Sequence, residues 1–155
     1  MSTGTVRLQR VLRAAPERIY RAFLEADAMA KWLPPYGFTC KVHHLDARVR
    51  GSFRMTFSNF GNGGSHSFGG EYLELVPNER IRYTDKFDDP NLPGVIQVAV
   101  NLRKVRCGTE IQIVQEGIPE VSFRMMAWCA AVVASFAAST VPSSHVRQQR
   151  GQLSR

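Results

Sequence analysis

The chain has 155 residues, a length that suits one domain with a single hydrophobic core. Hydrophobic residues make up 44% of it and charged residues 21%, which is typical of soluble globular proteins and indicates neither an intrinsically disordered nor a membrane-embedded class. The formal net charge is +7, but the Lys and Arg residues are scattered and several alternate with apolar residues. That pattern favours a solvated sheet face over a nucleic-acid site.

The sequence contains no apolar run of about 18 residues that could span a membrane. Residues 1–5 also lack the basic and then apolar pattern of a signal peptide. We therefore expect a cytoplasmic protein. The three cysteines are widely spaced and form no C-x-x-C pair, so we expect reduced structural thiols: Cys40, Cys107 and Cys129.

The N-terminal part predicts a strand followed by two short helices. Apolar and polar residues alternate over Thr5–Leu12, as in a half-buried strand. Pro16 suits the first position of a helix, where its missing N–H costs nothing. The apolar residues after it recur at spacings of three and four: Ile19, Tyr20, Phe23 and Leu24. Asp27 is the expected N-cap of a second helix, which Pro34 and Pro35 end.

From Phe38 onward the apolar period changes to two, which predicts about six antiparallel strands joined by turns. Pro77-Asn78 is a typical turn pair between two of them. Residues 95–102 show the clearest alternation, which predicts one buried and one wet side. By the same alternation, Leu73 and Leu75 are expected to share a face of their strand.

After Gly117 the apolar residues return to helical spacing and predict a long apolar helix over residues 121–139. Residues 142–155 have little to bury and predict a flexible tail. A twisted antiparallel sheet with one apolar face needs a cover, and this helix is the only element large enough. The predicted fold is therefore α+β, of the helix-grip type. In it a curved antiparallel β-sheet wraps around a long C-terminal α-helix, two short helices lie between strands 1 and 2, and residues 1–141 form a single domain.

Four segments carry a resemblance to a known family: APERIYRAFLEADAMAKWLPP (15–35), RGSFRMTF (50–57), GGEYLELVPNERIRYTDKF (69–87) and GTEIQIVQEGIP (108–119). Through them the chain resembles the START and birch-pollen-allergen-like (SRPBCC) superfamily. Within it, the chain is most similar to homologues of the activator of the heat-shock-protein-90 ATPase. The resemblance implies a helix-grip fold and a ligand cavity for lipids, polyketides or other hydrophobic molecules. The family name also implies a stress-response role with that chaperone. After Pro119 the chain departs from the family pattern and retains Trp128 and an apolar stripe.

The residues expected to face the helix are the candidate ligand contacts: Trp32, Phe53, Met55, Phe57, Tyr83, Val98, Val100, Met125 and Trp128. The alternative interpretation is that they form only a core. The supply of aromatic residues and Met favours a cavity, because such side chains suit hydrophobic guests. The hydroxyl groups of Tyr72 and Tyr83 either make structural hydrogen bonds or orient a ligand.

The sequence shows no catalytic or metal-binding set. Adjacent strand residues point to opposite faces, so His43 and His44 are not expected to share a metal ion. By the same reasoning, Glu71 and Glu74 are not expected to form a carboxylate pair. Asp85 and His44 are isolated candidates for an acid or a base.

The leading hypothesis is a non-enzymatic protein, without cofactor or metal, that binds a small hydrophobic or aromatic molecule. Two alternatives come from the resemblance. One is an interaction module acting on the heat-shock-protein-90 chaperone, which the single predicted domain makes less favoured. The other is an enzyme of the cyclase or dehydratase type.

Overall fold

The computed structural model describes residues 3–34 and 37–119. They form a seven-stranded antiparallel sheet with two short helices. The predicted C-terminal helix over residues 121–139 and the predicted tail lie outside the described residues, as does any space between that helix and the strands.

The elements follow the predicted order. They are β1 (Thr3–Leu12), α1 (Pro16–Ala22), α2 (Ala26–Trp32), β2 (Phe38–Leu45), β3 (Ser52–Asn59), β4 (Ser65–Val76), β5 (Arg80–Phe87), β6 (Ile96–Val105) and β7 (Gly108–Pro119). Across the sheet the order is β1-β7-β6-β5-β4-β3-β2. The two helices lie between β1 and β2, as the sequence predicts, and these two strands form the edges of the sheet.

The helix boundaries follow local sequence signals. Pro16 occupies the first turn of α1, as predicted. Helix α2 begins at Ala26 with Glu25 as its N-cap residue, so the prediction of Asp27 as the cap is wrong. Asp27 lies instead in the first turn, where its negative charge complements the positive end of the helix dipole.

The sheet has one apolar, buried side, which we call the inner face, and one polar side, the outer face. The most buried residues of the inner face are each at most 7% exposed: Phe53, Met55, Phe57, Phe68, Tyr72, Ile81, Val98, Val100, Leu102, Ile111 and Ile113. The period of two in β3 and β6 produces this separation, because successive side chains point to opposite sides of a strand.

A bulge between Tyr72 and Glu74 alters the faces of β4. Leu73 is the extra residue and is 40% exposed, while Leu75 packs against the core. The expectation that Leu73 and Leu75 share a face is therefore wrong. Beyond the bulge Glu74 pairs with Arg82 on the outer face, the side on which Glu71 also lies. The premise that Glu71 and Glu74 occupy opposite faces is thus also wrong.

Thr109 joins β7 to the segment before α1. Its side chain is fully buried, and Oγ1 donates a hydrogen bond to the Ala14 carbonyl oxygen at 2.7 Å. Thr109→Val keeps the shape but leaves that carbonyl without its donor, so we expect the free energy of unfolding to fall by about 1–3 kcal/mol. Thr109→Ser keeps the hydroxyl and serves as the control. Urea unfolding measures both, and a valine variant as stable as the wild type would contradict this role.

Candidate binding site on the inner face

Aromatic side chains from three strands meet on the inner face. Phe53 of β3 lies 5.5 Å from Tyr72 of β4 and 5.7 Å from Tyr83 of β5, measured between ring centroids. Tyr72 and Tyr83 pair directly across the strands, with centroids 6.1 Å apart. The rings meet tilted or edge to face, which is the favourable geometry for aromatic pairs. Together they form a broad apolar surface.

Six of the predicted contact residues lie together on this face: Phe53, Met55, Phe57, Tyr83, Val98 and Val100. Trp32 is also buried, at the end of α2. Its Nε1 donates to the Ala22 carbonyl oxygen at 2.8 Å, and its ring meets Phe23 edge to face at 4.7 Å. Trp32 therefore ties α2 to α1. Met125 and Trp128 lie outside the described residues.

Asp85 places a carboxyl group on the inner face. It follows Tyr83 by two residues and precedes Phe87 by two on β5, so the three side chains share a face. Its Oδ1 atom is buried and, within residues 3–34 and 37–119, has no hydrogen-bond partner. Burial raises the pKa of Asp85 to about 7, although a hydrogen bond from the backbone N–H of Lys86 lowers it in part. Asp85 therefore titrates near neutral pH.

Gln115 supplies a second buried polar atom. It follows Ile113 by two residues on β7 and pairs with Val98, which in turn pairs with Tyr83. Tyr83, Val98 and Gln115 thus form one row across three strands. Two strand spacings place the Tyr83 and Gln115 Cα atoms about 10 Å apart. The Oε1 atom of Gln115 is buried and, among the described residues, is not hydrogen-bonded.

These groups give the inner face specific binding chemistry. The two partnerless atoms are both oxygens, and an ionised carboxylate or an amide oxygen accepts hydrogen bonds. Burial raises the pKa of Tyr72 well above its usual value, so its hydroxyl is protonated at neutral pH and can donate. The face therefore combines aromatic surface with acceptors and a donor.

Sequence reasoning treated Asp85 as an isolated candidate and did not single out Gln115. Both follow the period of two that placed their neighbours: Asp85 continues Ile81 and Tyr83, while Gln115 continues Ile111 and Ile113. Extending this alternation along β5 and β7 predicts that Asp85 and Gln115 lie on the inner face. The missing hydrogen-bond partners become evident only in three dimensions.

The two adjacent histidines lie on the outer face together. A bulge between Val42 and His44 leaves His43 and His44 both exposed, so the reason for separating them was wrong. His43 Nε2 lies 2.7 Å from Thr56 Oγ1, and His44 Nε2 lies 3.0 Å from Ser52 Oγ. Among the described residues, no three His, Cys, Asp or Glu side chains are grouped to hold a metal ion.

Described residues also line two grooves on the outer face. One, of about 360 Å³, lies over Ala99 between Arg7 and Arg82. Glu74 Oε2 lies 3.5 Å from the nearest Arg82 nitrogen, so this arginine is already paired. The other, of about 680 Å³, lies over Gly69. Neither described helix is long and apolar enough to cross a membrane.

Comparison with known proteins places this fold in a family. Residues 13–135 match the family described as Activator of Hsp90 ATPase homolog 1-like protein. The crystal structure of protein CV1439 from Chromobacterium violaceum is 51% identical, covers 89% of this chain and 97% of its own, and superposes with a TM-score of 0.85.

More distant structures share the fold. Protein Ms6760 from Mycobacterium smegmatis is 15% identical, with 91% of this chain and 93% of that chain covered and a TM-score of 0.76. The AHSA1 (SPO3351) protein from Silicibacter pomeroyi is 18% identical, with 88% of this chain and 96% of that chain covered and a TM-score of 0.74. No curated protein matches the chain. The match over residues 13–135 confirms the predicted resemblance, and the chain belongs to the Activator of Hsp90 ATPase homolog 1-like family.

Proposed function

We propose that this protein binds a small hydrophobic or aromatic molecule against the inner face of its sheet, in the cytoplasm. The observation that carries the proposal is the presence of buried, partnerless oxygens of Asp85 and Gln115 on an aromatic face. Buried polar groups are nearly always hydrogen-bonded, and exceptions call for an explanation such as a ligand or an ordered water. A face that served only as a hydrophobic core would not be expected to bury oxygens without hydrogen-bond partners.

The energy of binding would come chiefly from apolar burial. A guest of two rings that removes about 200 Å² of apolar surface from water gains roughly 5 kcal/mol before the costs of association. Hydrogen bonds to inner-face groups would then orient it. Such a site predicts modest affinity with selectivity set by a few polar contacts.

Amide NMR titration tests the proposal with lipids, hydroxy-fatty acids, flavonoids and polyketide-like aromatics. For at least one class, we expect the shifted amides to belong to inner-face residues of β3, β5 and β6. Absence of shifts on these strands for every class would contradict the proposal.

A pair of size-matched variants locates the guest. Val98 of β6 is buried on the inner face. Val114 of β7 pairs with Ala99, the next residue after Val98, and therefore lies on the outer face. Val98→Phe is expected to weaken binding about tenfold or more by occupying space, or to shift the preference toward smaller guests. Val114→Phe adds the same bulk elsewhere and should leave affinity unchanged. Calorimetric titration of each folded variant measures the difference.

A cyclase- or dehydratase-type activity is a second candidate, which Asp85 supports. A carboxyl group beside an aromatic surface, with a pKa of about 7, suits general acid–base catalysis near neutral pH. Under this hypothesis Asp85→Asn would retain guest binding and lose turnover. Turnover that survives this substitution would argue against the role.

The family description supports a third candidate, an interaction with the heat-shock-protein-90 chaperone in a stress response. A pull-down with purified chaperone and an assay of its ATPase rate test this idea. A rate unchanged at saturating protein would exclude stimulation.

A further inference from the structure

Asp85 lies where it can select among apolar guests. Its Oδ1 atom is buried on the inner face without a partner among the described residues, whereas the Phe53 and Tyr83 rings provide apolar surface beside it. Phe53 pairs with Gly70. The pairs on either side, Gly69 with Lys86 and Tyr72 with Tyr83, place Gly70 opposite Asp85. Because position 70 is a glycine, β4 presents no side chain there between Phe53 on β3 and Asp85 on β5.

The chemistry of the partnerless atom specifies what can satisfy it. An ionised carboxylate only accepts hydrogen bonds, so its partner must be a donor. A hydrogen bond to a charged group contributes more than one between neutral groups, typically about 1.5–3 kcal/mol, which corresponds to about 10-fold to 150-fold in affinity. A guest without a donor would leave Oδ1 desolvated and unpaired, which is unfavourable.

We propose that the guest carries a hydroxyl or amine group that donates a hydrogen bond to Asp85 Oδ1, so that Asp85 selects donor-bearing aromatic molecules over equally apolar ones without a donor. This inference rests on the proposed function. Gln115 Oε1 is a second acceptor on the same face. Strand geometry places its Cα about 12 Å from that of Asp85, which suits a guest with a second donor at its far end.

The test uses naphthol and its methyl ether, which share a ring system and differ in one donor. Calorimetric titrations at about pH 8, above the Asp85 pKa of about 7, compare the wild type with Asp85→Leu, Asp85→Asn and Glu71→Gln. Glu71→Gln is the control because it alters an exposed carboxylate on the outer face of the neighbouring strand. Amide NMR spectra verify that each variant is folded.

We expect the wild type and Glu71→Gln to bind naphthol about 10-fold or more tightly than the ether. In Asp85→Leu the two affinities should become nearly equal. Asp85→Asn keeps a neutral acceptor and should retain an intermediate preference, which preserves the test should the leucine variant fail to fold.

Two outcomes would overturn the inference. Equal affinities of naphthol and ether in the wild type would mean that water, not the guest, satisfies Asp85, yet the proposed function would stand. A preference for naphthol that survives Asp85→Leu would assign the donor to another residue. If neither compound binds, and no ligand class shifts the amides of β3, β5 and β6, the proposed function itself is contradicted.

Discussion

Asp85→Asn is expected to flatten the dependence of stability on pH between about pH 4 and pH 8. In the folded protein, burial raises the pKa of Asp85 from its usual 3.8 to about 7. Between these two values the unfolded chain has lost the proton and the folded chain keeps it. The free energy of unfolding therefore falls as the pH rises, and the loss is complete above pH 7.

The size of this effect follows from the two pKa values. The difference between the two pKa values corresponds to at most ~4 kcal/mol, and because Asp85 as a residue is half-buried, we expect about 2–4 kcal/mol. Asn cannot ionise and stays neutral at every pH. At pH 8 the variant should therefore be more stable than the wild type by this amount, and at pH 4 nearly equal to it.

Urea unfolding at several pH values between about 4 and 8 measures this difference, with Glu71→Gln as the control for removal of an exposed carboxylate. Other groups also titrate in this range. The relevant quantity is therefore the free energy of unfolding of the wild type minus that of the variant, taken at each pH. A difference that stays constant with pH would show that Asp85 does not titrate near neutrality.

Gly70→Ala is expected to destabilise the sheet strongly beside Asp85. A Cβ atom at Gly70 would overlap the Thr84 carbonyl oxygen, lie 2.6 Å from the carbonyl carbon and approach the Asp85 backbone nitrogen to 3.2 Å. Backbone atoms of a paired strand cannot rotate aside as a side chain can. The variant must separate β4 from β5 locally, and we expect a loss of about 2–3 kcal/mol or more.

Gly61→Ala provides the matched control. Its Cβ would lie 3.2 Å from Asn59 Oδ1, a side-chain atom at the end of β3 that can move. We expect a change within about 0.5 kcal/mol there. Thermal unfolding compares the two, and for a chain of this size Gly70→Ala should lower Tm by roughly 5–10 °C. Similar Tm values for both variants would contradict the close approach of the strands.

Most of the described fold was predictable because its signals are periodic. Alternation predicts that Phe53, Met55 and Phe57 share one face of β3 and that Val98 and Val100 lie on the same side of the sheet. All five residues are buried, which agrees with this prediction. The helix pattern after Pro16 agrees equally well. Wherever a strand is regular, the alternation of apolar and polar residues correctly predicts which side of the sheet each side chain faces.

Bulges account for the errors in assigning strand residues to faces. His43, Leu73 and Glu74 were assigned to faces by counting residues, and an extra residue in β2 and in β4 shifts that count by one. No turn or proline marks these bulges, since they are set by how each strand pairs with its neighbour. The sequence also could not predict that Asp85 Oδ1 has no hydrogen-bond partner among the described residues, because such partners depend on the atoms of adjacent strands.

The most direct test of guest binding on the inner face is a set of intermolecular NOEs between naphthol ring protons and protein methyl groups. We predict NOEs to Met55 and Val100, which are buried on the inner face and do not line the groove over Ala99. NOEs confined to Leu73 and Val114, which line the outer-face groove over Ala99, would contradict this prediction.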